Sequence, residues 1–489
     1  MSVERDASAH DVARQAVRGS LYSLGASAVT VTLGFVRAVL LAHYLLPAQY
    51  GVVALATFFV MWIARLRSLG FDRALVHKQA TEGPFFETYQ AFKGTVVLLF
   101  TLLSLAAAPL IAHFYPRREG LLPVMVALTL IMALAAFNQM QETALQIRLQ
   151  FREIALVNVV AAITMTVVAP TLAWAGWGVW SLVAEQGSGI VARGILLWGP
   201  LRAVPFRPRW HGQVARWFWA YGRANWVNAN VGYLLDRFDD FWVGTDLGEV
   251  ALGFYNRAYE FARYPRRLLA NSLLTVMTPV FARLQENRRA LSQAYFRLTS
   301  LLVRVGVLVG GLMVVLAPEF ILWGLGPQWR PMERTFQLFV LYVMLDPLLL
   351  VVGHLLLAVG DPHSLARARL VQMGFFLPAV IVAARVAGIE GVALAADLML
   401  LLGWLVLERR VRRFVDYSLW RLWGIPLLAL GLGLAGVFTF VRMYPTLTWA
   451  HALIKGGIFL LLTGGIMGIW EGRTVWTMAR ELRGTLVRH

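Results

Sequence analysis

Apolar residues in this chain come in long runs rather than in stripes. Between Leu21 and Ile469 we count fourteen stretches of helix-spanning length, most of them nearly free of charge, with polar residues gathered between them. Val96 to Ile111 and Leu427 to Val441 show the pattern most plainly. A helix needs about 20 such residues to cross a bilayer. A transmembrane barrel would alternate at every second residue, and no such alternation is present. The pattern predicts an all-α, polytopic membrane protein with about 14 transmembrane helices.

Composition agrees and narrows the chemistry. Of 489 residues, 58% are hydrophobic and 15% charged, where a soluble domain carries about a quarter charged. There is no cysteine, which excludes disulfides and thiolate metal sites. The first apolar run follows Arg14 and Arg18 and continues past signal-peptide length, so it is expected to remain as an uncleaved helix. The net charge of +18 raises the question of nucleic acid, but the placement of the charges answers it. Thirty of the 45 Lys and Arg fall on one side, in the termini and in loops that hold Arg65, Arg73, Arg207, Arg288 and Arg412, against five on the other. Such a bias marks the cytoplasmic side. Both termini are therefore expected in the cytoplasm, with the basic loops against anionic membrane lipids and no nucleic-acid partner.

The loops on the opposite side are short, as at Trp174–Gly178 and Gly244–Glu249, and leave no room for a separate active-site domain. Weak internal similarity relates Leu45–Ala56 to Leu247–Ala258, with Leu45/Leu247, Gly51/Gly253 and Ala56/Ala258 matched at one offset. Each copy runs from the end of an odd helix to the start of an even one. That is the parallel kind of repeat, related by an axis along the membrane normal. The expected organisation is a six-helix lobe over 1–198, a basic, Pro-rich linker over 199–215, a second six-helix lobe over 216–414, and two more helices with a tail over 415–489.

Against this apolar background the polar helices stand out. Asn225 to Asn271 carries eleven ionisable residues, and charges there are expensive unless they face water or one another. Helix one has Ser20, Ser23, Ser27, Thr30, Gly34 and Arg37 at alternating spacings of three and four, hence on one face. Helix seven repeats this with Asn225, Asn228, Gly232, Asp236 and Asp239, and helix eight with Asn256, Glu260, Arg263, Arg267 and Asn271. Two readings remain open. These faces line a polar cavity between the two halves, or their charges pair structurally, for example Asp239 or Asp240 with Arg37 or Arg257. Helix six adds Ser181, Glu185 and Ser188 to the polar faces, while Glu142, Asp346, His354, Asp397 and Lys455 lie singly within apolar runs. Of these, Glu142, Glu185 and Asp397 are candidates for a carboxylate that changes protonation during transport. No phosphate loop, metal-ligand spacing or nucleophile elbow is present, so neither a metal nor a cofactor nor an enzymatic activity is expected.

The opening SLYSLGASAVTVTLGFVRAVLLAHYLLPAQYGVVALATFF, with its LLPAQYG turn, resembles the start of bacterial polysaccharide flippases. VGTDLGEVALGFYNRAYEFARYP and TPVFARLQ in the second half are similar to the same family, the Wzx-type polysaccharide and O-antigen flippases of the multidrug/oligosaccharidyl-lipid/polysaccharide exporter superfamily. His43 stands where that family usually has arginine before the turn. The resemblance implies two six-helix lobes related by pseudo-two-fold symmetry, plus two C-terminal helices. It also implies an inner-membrane protein that moves a polyprenyl-diphosphate-linked oligosaccharide to the periplasmic leaflet by alternating access. Polysaccharide polymerase and chain-length proteins follow as expected partners. Arginine suits a diphosphate through its planar fork, so Arg37, Arg257, Arg263 and Arg267 are expected to form the cationic part of the substrate cavity. Ser27, Thr30, Asn225, Asn228, Asp239, Asn256 and Glu260 would supply its polar lining. Two alternatives stay open: a cation-coupled multidrug antiporter of the same architecture, and a membrane glycosyltransferase or polymerase.

Overall fold

In a computed structural model of the chain, every regular element among the described residues is helical. The backbone is described over residues 2–67, 70–115 and 120–487. Side chains are described within those ranges except at 2–21, 221–229, 471–487 and positions 73, 77, 231, 269, 271, 272, 275 and 276.

The chain divides into two compact units, Met1–Asn256 and Arg257–His489. The first holds α1 (Ser2–Tyr44), α2 (Pro47–Leu66), a short α3 (Phe71–Lys78), α4 (Gly83–His113), α5 (Leu121–Ile147), α6 (Phe151–Trp174), α7 (Val179–Trp198) and α8 (Gly212–Trp242). It ends within α9 (Glu249–Ala262). α1 packs on α6, α6 and α5 on α7, α4 on α5, and α2 on both α5 and α8. The second unit takes up the rest of α9 and adds α10 (Asn271–Leu284), α11 (Arg288–Glu319), α12 (Glu333–Leu338), α13 (Val340–Ala358) and α14 (Pro362–Val411). It closes with α15 (Ile425–Met443) and α16 (Trp449–Val487), which pack on each other and on α11.

Among the described residues, ten helices are long and apolar enough to cross a membrane. One of them, α14, is two expected spans joined. Its path turns at Ala387 and Gly388, where Gly388 takes φ 58° and ψ −141°, open to glycine but costly for a side chain. The other expected spans fall on α7, α8 and the α9–α10 pair, each of which carries an expected polar stripe, as does α1 within the ten. Counting α14 twice and adding these three is consistent with fourteen spans.

Near Pro265 the chain shows a turn at Arg263 followed by a π-helical turn over Arg266–Ala270. Proline removes a backbone donor and crowds the preceding turn, so the helix loosens there. Helix α3 was not anticipated. Nor was the way the basic stretch after α7 is held. Gln141 accepts from the amides of Ala203 and Val204 at 3.0 and 3.1 Å and donates to the Val204 carbonyl at 2.8 Å. Gln90 does the same to Pro205 and Arg207, both at 2.8 Å. Two buried glutamines thus stand in for a neighbouring strand and satisfy backbone groups that no helix serves. Below this strap lies an apolar cluster built on Phe71, Phe86, Tyr89, Met140 and Phe218.

Candidate functional site

In the first unit the expected cavity residues form two tight knots. Arg37 on α1 donates from Nε to Glu185 on α7 at 2.7 Å, and from Nη1 to Thr166 on α6 at 3.2 Å. Its side chain is 12% exposed and that of Glu185 25%. One arginine therefore meets one carboxylate, and three neighbouring helices are tied together. The second knot sits where α8 meets α9. Asp239 accepts from the Tyr255 hydroxyl at 2.6 Å, while Asp240 takes Arg237 at 2.7 Å and the Asn256 amide at 3.2 Å. Structural pairing is thus real, but the partners are not the expected ones: Arg37 finds Glu185, not Asp239 or Asp240. Thr30 donates to the Ser27 carbonyl at 3.0 Å. The side chains of Asn225 and Asn228 lie outside the described residues.

The isolated carboxylates also sort themselves. Glu142 is paired with Arg193 at 2.9 Å, across the contact of α5 with α7. Asp346 on α13 takes Arg266 at 2.8 Å, and His354 meets the Thr278 hydroxyl at 2.9 Å. Lys455 of α16 is held at 2.7 Å by Glu319 of α11, with both side chains almost fully buried. Asp397 differs from all of these: it is 1% exposed, and neither carboxylate oxygen makes a well-formed hydrogen bond.

The second unit has a different charge balance. From Arg257 to Arg267 the chain carries four arginines and one carboxylate, Glu260. Glu260 is paired with Arg257 three residues before it and with Arg267 at 3.7 Å. Arg263 lies over the Tyr259 ring at 5.2 Å, and the Tyr259 hydroxyl meets that of Tyr342 at 2.9 Å. Arg257, Glu260, Arg263 and Arg267 are all half-buried. The structure therefore brings together three of the four expected arginines, on the end of α9 and the turns that follow it in the second unit. The fourth, Arg37, stands in the first unit with a carboxylate of its own.

One feature of the first unit escaped sequence reading. A cavity of about 300 Å³ is lined by Arg65, Arg67, Asp72, Lys93 and Gln139, with Val96, Val97 and Met132 among its apolar walls. Lys93 bonds Asp72 at 2.5 Å, Tyr89 donates to the same carboxylate, and Arg67 donates to the Met132 carbonyl at 2.9 Å. These cations were expected in a loop; the structure places Lys93 inside α4 instead. The i, i+4 spacing of Tyr89 and Lys93 was the available signal.

Comparison with known proteins gives one family. The polysaccharide biosynthesis protein family matches residues 40–334. The lipopolysaccharide biosynthesis protein WzxC of Escherichia coli (strain K12) is 22% identical over 397 residues, 77% of each chain. The succinoglycan biosynthesis transport protein ExoT of Rhizobium meliloti (strain 1021) is 25% identical over 65% of this chain and 64% of its own. Among solved structures, the lipid II flippase MurJ in an inward closed conformation superposes with a TM-score of 0.73. It covers 94% of this chain and 100% of its own at 14% identity, which shows a shared fold.

Proposed function

Since this chain belongs to the polysaccharide biosynthesis protein family, we propose that it is a flippase for a lipid-linked oligosaccharide, with arginines of α9 and the following turn holding the substrate's diphosphate. The observation that carries the reading is the segment 257–267, where four arginines stand with a single carboxylate inside a multi-pass membrane protein. Concentrated positive charge is costly in such a setting and is usually kept where an anion or water visits. A diphosphate offers several acceptor oxygens, and the guanidinium fork meets them two at a time. Glu260, shared by Arg257 and Arg267, holds both side chains in place while the site waits.

The lipid tail remains in the bilayer, so only the head needs a polar route. No covalent step is required, and the chain acts by moving its substrate from the cytoplasmic to the periplasmic leaflet. Both termini lie in the cytoplasm in this reading, on the side of the arginine-rich loops. A multidrug antiporter would need carboxylates in excess where arginines are in excess here. Polymerase and chain-length proteins would receive the product.

The test is a deletion strain. Loss of the gene should remove surface polysaccharide and leave its lipid-linked precursor in the cytoplasmic leaflet; the native chain should restore export. If the precursor reaches the outer leaflet normally without this protein, the reading fails. Orientation is tested by single cysteines, for which a chain without cysteine has no background. An impermeant thiol reagent should mark a cysteine at Asp246 in intact cells and leave one at Arg207 unmarked.

A further inference from the structure

The weak repeat has a physical counterpart in the first unit. An added Cβ at Gly51 would run into the carbonyl of Glu249, with the Glu249 Cα only 2.8 Å away. An added Cβ at Gly253 would run into the carbonyl of Pro47, with the Pro47 Cα at 3.0 Å. The offset that relates Gly51 to Gly253 in the sequence also relates Pro47 to Glu249. The contact is therefore reciprocal. Each glycine touches the repeat equivalent of the residue that precedes it by one turn in its own helix.

The local chemistry explains why both positions are glycine. Pro47 and Glu249 are the first residues of α2 and α9. The α-hydrogen that replaces each Cβ points at the opposite carbonyl, the geometry of a Cα–H···O contact. Two helix starts thus meet backbone to backbone, with no side chain between them. Pro47, Gly51 and Gly253 are buried. Around the contact, Leu55 and Leu252 close on Gly244, at 3.1 and 2.9 Å from where its Cβ would stand. The contact lies at the arginine-poor end, beside the short turns Leu45–Leu46 and Val243–Gly248.

We propose that Gly51 and Gly253 form a two-fold clasp between the α1–α2 and α8–α9 turns, and that transport requires this clasp to close and to release. The inference rests on reading the chain as a transporter. Cα–H···O contacts are individually weak, so the clasp holds by shape and by the apolar residues around it. A residue with a side chain at either glycine cannot close it, because the atom met is backbone and cannot rotate away.

Gly51→Ala and Gly253→Ala should each lower export by about tenfold, the scale at which overpacking acts. The double variant should be no worse than either alone, since both break one contact. A cysteine at Pro47 should react with an impermeant thiol reagent faster in either alanine background than in the native one, a readout independent of substrate. Native export and unchanged labelling in both alanine variants would overturn the clasp. Should the alanine variants fail to accumulate, a second measurement leaves both glycines intact. Cysteines at Ala48 and Val250, equivalent positions of the repeat, are joined with a short reducible cross-linker. Cross-linking should stop export and reduction should restore it; export undisturbed by the cross-link would overturn the requirement for release. Failure of the flippase reading would instead show as precursor crossing without this protein, with the labelling results unchanged.

Discussion

Two groups of arginines in this protein solve the same problem in opposite ways. Arg37 is neutralised by Glu185 within its own unit, and Thr166 takes up a further donor. In the segment from Arg257 to Arg267, Glu260 pairs with Arg257 and Arg267, and Arg266 pairs with Asp346 of α13. The first arrangement ties helices together. The second sets four arginines against the carboxylates of Glu260 and Asp346, and we propose that it serves an anionic headgroup. In the proposed function, the local count of opposite charge is what separates a tying arginine from a substrate arginine.

The largest effect should come from breaking the second group. Arg263→Ala is expected to cut export by about a hundredfold, with protein amount in the membrane unchanged. That loss corresponds to about 2.7 kcal/mol, within the range for a charge-assisted hydrogen bond. Arg263→Lys should recover only part of it, because lysine lacks the fork. Equal export by the alanine and native proteins would erase the distinction between the two groups.

Arg37→Ala should behave differently. It leaves Glu185 partly buried without its cation, at a cost on the order of 2–3 kcal/mol after allowing for its partial exposure. The readout is protein amount, which should fall several-fold. Arg37→Gln combined with Glu185→Gln should recover most of it, as removing both partners does in paired sites. If the double variant accumulates normally but exports nothing, Arg37 belongs with the substrate arginines after all.

A smaller effect concerns coupling. Glu142 and Glu185 each have an arginine, whereas Asp397 is buried without a well-formed hydrogen bond. We expect Asp397→Asn to flatten the pH dependence of transport, and Glu142→Gln to leave that dependence in place. The same pH profile in the native protein and the Asp397→Asn variant, measured in proteoliposomes, would remove Asp397 from the coupling step.

The smallest effect lies outside the membrane. Asp361 caps α14, accepting from the Ser364 amide at 3.2 Å and its hydroxyl at 2.6 Å. The Ser364 hydroxyl holds the Asp361 carboxyl below its ordinary value. A lowered carboxyl contributes stability above its unfolded pKa, and that contribution is lost as pH falls through the folded value. Melting temperature should therefore be indifferent to this group between about pH 5 and 8 and decline below about pH 4. Asp361→Ala should cost about 0.5–1 kcal/mol at neutral pH, and Asp361→Asn less, since asparagine also caps.

Much of the fold was legible because the bilayer allows few solutions: an apolar run of sufficient length becomes a helix. The turn at Ala387–Gly388 and the break at Arg263 follow from local residues, glycine in one case and proline in the other. What sequence could not reveal was partnership across distance. Arg37 and Glu185 are 148 positions apart, and nothing local in either helix marks the other. Arg257 and Glu260 stand three residues apart on one helix, a spacing that local rules can pair, yet Arg257 was expected opposite Asp239 or Asp240. The strap over α4 and α5 was hidden because its partners, Gln90 and Gln141, look like ordinary polar residues until their amides are seen serving the backbone of 203–207.

The most direct measurement of the central claim is the rate at which purified protein in proteoliposomes moves a polyprenyl-diphosphate oligosaccharide across the bilayer. It compares the native chain with an Arg257→Ala, Arg263→Ala, Arg267→Ala triple variant at equal protein amount. The triple variant should lose nearly all of the native rate, and neither protein should move an uncharged glycolipid with the same tail and sugars. A triple variant that moves the diphosphate lipid at the native rate would contradict the assignment of these arginines to the substrate.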